Sequence, residues 1–235
     1  RLPQPPPLLF TSTNKVYGDL HGLHVEEHET RHRPTHYGVR THGFAEGWLD
    51  FHSPYGCSKG AADQYVLDYA RSFGLPAVVF RMSCIYGPHQ WGTEDQGWVA
   101  HFLLKALRDE VITIYGDGKQ VRDVLYVEDL AHAMMLAFEH IDATRGKAFN
   151  VGGGPDNAVS LREMFDIIGA ATGRRVRTRT GAWRCGDQRY YVSDTGLLRG
   201  LTGWRPRTPV VEGVGRLCEW LREHRVATHA EVAAS

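Results

Sequence analysis

The stretch "SPYGCSKGAADQYVLDYARSFGLPAVVFRM", Ser53 to Met82, decides the fold. Ser53 is a natural N-cap, and Pro54 suits a first helical turn because its missing N–H is not needed there. A helix is expected from about Pro54 to Phe73, ended by Gly74, a residue that takes a left-handed cap at little cost. "PAVVFRM", Pro76 to Met82, is a nearly continuous apolar run, as in a strand buried on both faces. Upstream, "LLF" (Leu8 to Phe10) is a second short buried strand, behind a proline-rich start read as a polyproline II arm. Strand, helix, strand in this order predicts a parallel sheet with crossover helices, hence an α/β fold.

The pattern continues downstream. "CIYGPHQWGTEDQG" from Cys84 reads as a loop, Trp98 to Arg108 as an amphipathic helix, and "VITIYG" as a strand closed by the turn "DGK". "VRDVLYVEDLAHAMMLAFEHI" begins extended and becomes helical near Val127, and "KAFNVGGG" is another buried strand. Ser160 and Glu163 form a capping box ahead of "LREMFDIIGAATG". "RVRTRT" reads as a strand, Val211 to His224 as the last helix, and residues 226–235 as a flexible tail.

The 235 residues carry 27 Lys plus Arg and 27 Asp plus Glu, a formal net charge of zero. No basic field points to nucleic acid or to an anionic membrane surface. No apolar run reaches membrane-spanning length, and no leader peptide is read at the start. Cys57, Cys84, Cys185 and Cys218 lack paired spacing, so free thiols in a reducing compartment are expected. A cytoplasmic protein is the expectation. His21, His24, His28, His32 and His36 recur at helical spacing, but Arg31, Arg33 and Pro34 interrupt them and no apolar stripe accompanies them. A polar loop from Asp19 to His52 is expected there, with no metal site.

Tyr55 and Lys59 fall four residues apart at the mouth of the first long helix, one above the other. An ammonium beside a phenol stabilises phenolate, which makes the tyrosine usable as a general base. Alone, such a pair is more often an ordinary exposed helix pair. Other stretches change that balance: "TSTNKVYGD" after the first strand, "RMSCIYGP", "GDGKQVRDVLYVEDLA", "FNVGGG" and "RCGDQRYYVSD". In this order, with "YGCSK", they resemble the extended short-chain dehydrogenase/reductase family along nearly the whole chain. Within that family, "STNKVYGDL", "LDFHSPYGCSKGAADQYVLDYAR" and "DQGWV" are most similar to the CDP-paratose 2-epimerase subgroup.

The resemblance implies NAD as cofactor and a nucleotide-diphosphate sugar, CDP-linked, as substrate. It implies the later part of a doubly wound Rossmann sheet in residues 1–83 and 124–153, and a small α/β substrate lobe in residues 84–123 and 154–225. Thr13, Tyr55 and Lys59 become the catalytic set, converging on one pocket: Tyr55 as acid/base, Lys59 beside it and on the nicotinamide ribose, and Thr13 on the reacting hydroxyl. Met82 joins Tyr55 and Lys59 on the cofactor side. Arg122 and Arg184 are expected on the diphosphate, Asp187 on the nucleotide ribose, Tyr115 against the base, and Cys84, Gln96 and Gly97 in the pocket wall. A homo-oligomer is expected, as in many family members.

Two departures matter. Family members begin with a strand and a G-x-x-G-x-x-G turn, and this sequence contains no such turn; Gly152 to Gly154 comes late and opens no helix. The expectation is a fragment or truncated product, and poor NAD binding by this chain alone. Sugar-nucleotide dehydratases place an Asp-Glu pair directly after the Thr, where this sequence has Asn14 and Lys15. A dehydratase is therefore not expected, and an epimerase or a simple reductase is; the epimerase leads, with a UDP- or dTDP-sugar 4-epimerase and a non-catalytic nucleotide-sugar-binding remnant as the alternatives.

Overall fold

The computed structural model describes residues 5–20, 23–35, 49–184 and 187–224. In chain order the elements are β1 (Leu8–Thr13), a 3-10 turn (Asn14–Tyr17), β2 (Val25–Glu27), β3 (His32–Pro34), α1 (Ser53–Phe73), β4 (Ala77–Met82) and β5 (Cys84–Tyr86). Then come α2 (Trp98–Leu107), β6 (Ile112–Tyr115), β7 (Val121–Tyr126), α3 (Val127–Glu139), α4 (Ile141–Thr144) and β8 (Lys147–Val151). A second 3-10 turn (Pro155–Asn157) leads into β9 (Ala158–Ser160), α5 (Leu161–Thr172), β10 (Thr178–Gly181), β11 (Tyr190–Tyr191), α6 (Gly196–Thr202) and α7 (Val210–Glu223).

The first sheet has the order β1-β4-β8 and is parallel throughout, with Leu8 opposite Ala77 and Thr13 opposite Met82, which in turn faces Val151. The α/β expectation and the pairing of Leu8–Phe10 with the "PAVVF" strand both hold. α1 is seated through small residues: Gly56 and Gly60 are buried, and a Cβ on Gly60 would stand 2.4 Å from the ring of Phe51, just ahead of the helix. Below the helix, Asp63 is buried, accepts from Ser12 Oγ at 2.8 Å and takes two hydrogen bonds from the Arg81 guanidinium, each 2.9 Å. Arg81 also donates to the Tyr17 hydroxyl at 3.3 Å, and that hydroxyl donates to Asn150 at 2.7 Å. One charge network thus ties α1, β1, β4 and β8 together, and such a buried pair is costly to break once formed.

The second group of strands is β11-β7-β5, parallel, with β9 antiparallel on β7, and β10 pairs with β6 beside it. The largest apolar core lies here, where α2, α5 and α7 pack around Tyr86, Leu103, Met164, Ile168, Val214 and Leu217. The Ser160–Glu163 capping box forms as expected. "RVRTRT" becomes a strand only from Thr178, three residues later than its start suggests.

Gly152 and Gly153 are glycines for packing reasons. A Cβ on Gly152 would lie 2.2 Å from an Asp123 carboxylate oxygen, and one on Gly153 would lie 2.0 Å from the Val124 carbonyl. The buried Asp123 carboxylate accepts from Gly154 N–H at 3.0 Å, Ser193 N–H at 3.1 Å and the Ser83 hydroxyl.

The Asp19–His52 segment is not wholly a polar loop. β2 and β3 form an antiparallel hairpin, and buried His32 sits 3.0 Å from the Asp117 carboxylate. Residues 21–22 and 36–48, including His21 and His36, lie outside the described residues, as do Cys185, Gly186 and the tail from 225. Among the described residues no three His, Cys, Asp or Glu side chains gather around a possible metal site, and no helix is long and apolar enough to cross a membrane.

Candidate functional site

The three residues expected to be catalytic, Thr13, Tyr55 and Lys59, stand on β1 and α1. β1 ends at Thr13, whose buried side chain accepts from Lys15 N–H at 3.2 Å and so caps the 3-10 turn that follows. α1 starts against that turn: a Cβ on Gly56 would lie 3.4 Å from the Lys15 carbonyl. Ser53 has a φ of 65°, in the left-handed region, and its Oγ accepts from Gly56 N–H at 3.1 Å. The capping role expected of Ser53 is therefore made, although the helix counts it as its first residue.

Tyr55 lies on the first turn and is 54% exposed, with no hydrogen-bond partner for its hydroxyl among the described residues. Lys59, one turn on, is half-buried; its Nζ stands 4.6 Å over the Phe10 ring, with no carboxylate partner among the described residues. The pair stands on the first turns of α1, against the turn at the C-terminal end of β1, the end of the strands at which doubly wound sheets bind ligands. Met82, half-buried, ends β4 beside Thr13.

The substrate-side residues meet elsewhere. A cavity of about 440 Å³ lies beside α2, β6 and β7, and Cys84, Gln96, Gly97, Tyr115, Arg122, Arg184 and Asp187 all line it. Arg122, buried on β7, donates to the Asp187 carboxylate at 2.7 Å, to Val121 O at 2.7 Å and to Gln188 O at 2.5 Å. Arg184 stacks 4.0 Å over the Tyr115 ring and faces Glu94 at 3.5 Å. The Tyr115 hydroxyl donates to Glu94, a hydrogen bond that holds the Glu94 carboxyl below its usual range. Gly97 precedes α2 with a φ of 75°, which favours glycine. Burial pushes the Cys84 thiol up, so it stays protonated.

Thr13, Tyr55 and Lys59 are not part of that lining. Lys15 is, and it links the two regions; the sequence reading gave it no role of its own. Asn14 donates to the Gln188 side chain at 3.4 Å, and Gln188 donates to Gly18 O at 2.6 Å, so the turn after Thr13 is stapled to the cavity wall. Burial, then the nearby Arg122 charge, pull the Lys15 pKa below its ordinary value. His101, Lys105, Gln120 and Arg179 complete the polar wall. The signal for Lys15 was only its place beside Thr13; the others carried none.

Sheet, helix-mouth pair and cation-bearing cavity together are those of the extended short-chain dehydrogenase/reductase class. The chain belongs to the NAD dependent epimerase/dehydratase family, which it matches over residues 3–152. It is 43% identical over 222 residues to the CDP-paratose 2-epimerase of Salmonella typhi, covering 91% of this chain and 64% of that protein. It is 34% identical over 219 residues to the dTDP-glucose 4,6-dehydratase of Salmonella typhimurium, covering 89% of this chain and 56% of that one. Among solved structures, the Thermotoga maritima UDP-glucose 4-epimerase with UDP-glucose aligns with a TM-score of 0.73 at 28% identity, over 93% of this chain and 64% of that chain. The Thermus thermophilus UDP-glucose 4-epimerase in complex with NAD gives 0.71 at 29% identity, over 92% and 64%. The chain thus spans under two thirds of the length of each of these relatives.

Proposed function

We propose that the chain carries the acid/base pair and the nucleotide-sugar pocket of an NAD-dependent epimerase that acts on a CDP-linked deoxysugar, as its 43% identity to a CDP-paratose 2-epimerase suggests. The observation that carries this reading is the single cavity lined by all seven residues expected on the substrate side. The division of labour follows the sheets: β1-β4-β8 with α1 serves the reacting end, and the β5-β7-β11 lobe serves the nucleotide.

The residues present fit the nicotinamide end of NAD. Tyr55 and Lys59 are open on one helix face and Met82 ends the neighbouring strand, whereas Gly152 and Gly153 are filled by Asp123 and Val124 and offer no phosphate cradle. When bound, NAD supplies the acceptor and then the donor of the hydride. Tyr55 takes the proton of the sugar hydroxyl as that carbon is oxidised and returns it on reduction, with Lys59 favouring the phenolate. Thr13 holds the reacting oxygen, and Arg122 and Arg184 hold the diphosphate while the ketosugar presents its other face. Asn14, buried against Gln188, offers no acid/base group where a dehydratase needs one.

Incubation of a form that also carries the family's glycine-rich N-terminal portion with NAD⁺ and CDP-paratose, and separately with UDP-glucose, followed by NMR of the products, tests the reading. Epimerisation of the CDP sugar at C2 is expected. Turnover of UDP-glucose alone overturns the CDP assignment and leaves a 4-epimerase.

A further inference from the structure

Lys15 is the feature of the cavity that the roles above do not use. It stands on the turn directly after β1, two residues from Thr13, and lines the cavity. Its Nζ lies 4.0 Å from the Asp187 carboxylate, the same oxygen that accepts from Arg122 at 2.7 Å. Of the other cations in the lining, Arg184 faces Glu94, Lys105 pairs with Glu110 and Arg179 donates to the Thr113 hydroxyl. Lys15 and Arg122 meet at the same Asp187 oxygen. Two cations held partly out of water around a common carboxylate form a site that gains from a further anion.

We propose that Lys15 is a substrate-binding residue that receives, together with Arg122, the diphosphate at its junction with the sugar, while Asp187 holds both cations in place when no ligand is bound. The proposal rests on the nucleotide-sugar reading and extends it to a position where dehydratases of the class carry an acid. A lysine there turns a proton-donating position into an anion-holding one. The groups acting on Lys15 are Arg122 on β7, Asp187, Cys84 on β5 and Asp19; burial and Arg122 favour its neutral form, Asp187 its charged form.

The test is calorimetric titration of the 235-residue chain, and of its Lys15→Gln and Lys15→Arg variants, with CDP, UDP, dTDP and cytidine, with melting temperatures recorded in parallel. Losing a charge-assisted contact should weaken CDP binding by roughly tenfold or more in Lys15→Gln. Lys15→Arg should retain most of the affinity, and cytidine, without phosphate, should bind all three proteins alike. CDP binding of wild-type strength in Lys15→Gln overturns the proposal. So does a lower melting temperature with unchanged CDP affinity, which makes Lys15 a structural residue only. Failure of the wild-type chain to bind CDP, UDP and dTDP overturns the nucleotide-sugar reading itself, and this proposal with it.

Discussion

Tyr55 and Lys59 leave one helix at the same angle, yet the fold treats them differently: the phenol is open to solvent while the ammonium leans on the Phe10 ring. A fixed cation beside a free phenol is what an acid/base role needs. Tyr55→Phe in a turnover-competent enzyme should cost about 10²–10⁴ in rate, with nucleotide-sugar affinity nearly unchanged, because the variant loses only the group that moves the proton. Wild-type turnover would remove Tyr55 from the mechanism. The thiols give a second check. Cys57 is exposed, whereas burial raises the Cys84 and Cys218 thiols above their usual range. Disulfide-reagent labelling at pH 8 should reach Cys57 at least roughly tenfold faster than Cys84, and CDP should slow Cys84 further. Lys15 contributes the opposite sign of linkage to a usual paired lysine. Its folded-state pKa lies below the ordinary 10.5, so its contribution to stability is present above pH 10.5 and is lost as pH falls through the depressed value. In urea unfolding, the difference between wild type and Lys15→Gln should therefore move in favour of wild type as pH rises from 7 toward 10.5. A flat difference would contradict the burial of its charge.

At the scale of elements, α7 holds two glycines with opposite meanings. A Cβ on Gly213 would stand 2.2 Å from the Tyr86 hydroxyl, while one on Gly215 meets nothing within 4 Å. Gly215→Ala should stabilise by about 0.8–1 kcal/mol through helix propensity. Gly213→Ala should destabilise by roughly 1–3 kcal/mol, because Tyr86 is packed under the helix. Equal effects in thermal unfolding would show that α7 is not seated on Tyr86. Periodicity alone could not tell these glycines apart, since the difference lies in the neighbouring strand. The same limit explains what the sequence showed and hid. α1, β4 and β8 were legible because "PAVVFRM" and "KAFNV" are buried runs and Gly74 ends the helix with a φ of 70°. The β2–β3 hairpin was not, because "VEE" and "HRP" have no apolar alternation of their own. Distant partners hold it in place: Arg31 on Glu163, Lys119 on Glu27, and His32 on Asp117. The residues expected on the substrate side came from family wording, and one cavity gathers them. Lys15 escaped notice because its meaning depends on Arg122 and Asp187, far away in sequence.

For the whole molecule, the decisive feature is how unevenly the described residues cover it. The β5-β7-β11 lobe is wrapped by α2, α5 and α7 around a large core. The β1-β4-β8 sheet has β1 at one edge, with Leu8 41% exposed. α1 above it leaves Tyr65 69%, Tyr69 53% and Phe73 61% exposed. Parallel sheets are normally covered on both faces, and an open edge beside large exposed aromatics invites pairing with another chain. We expect the 235-residue chain to self-associate through this side while its cavity, in the other lobe, stays free. Sedimentation velocity should show a mass that rises with concentration in the micromolar range. Replacing Tyr65 and Tyr69 by glutamate should move the protein toward monomer if the α1 face is the contact, because like charges would then meet across it. CDP affinity should be the same in both forms, since neither tyrosine lines the cavity. A wild-type chain that stays monomeric across the whole range would show that the exposed aromatics of α1 and the β1 edge do not act as a contact.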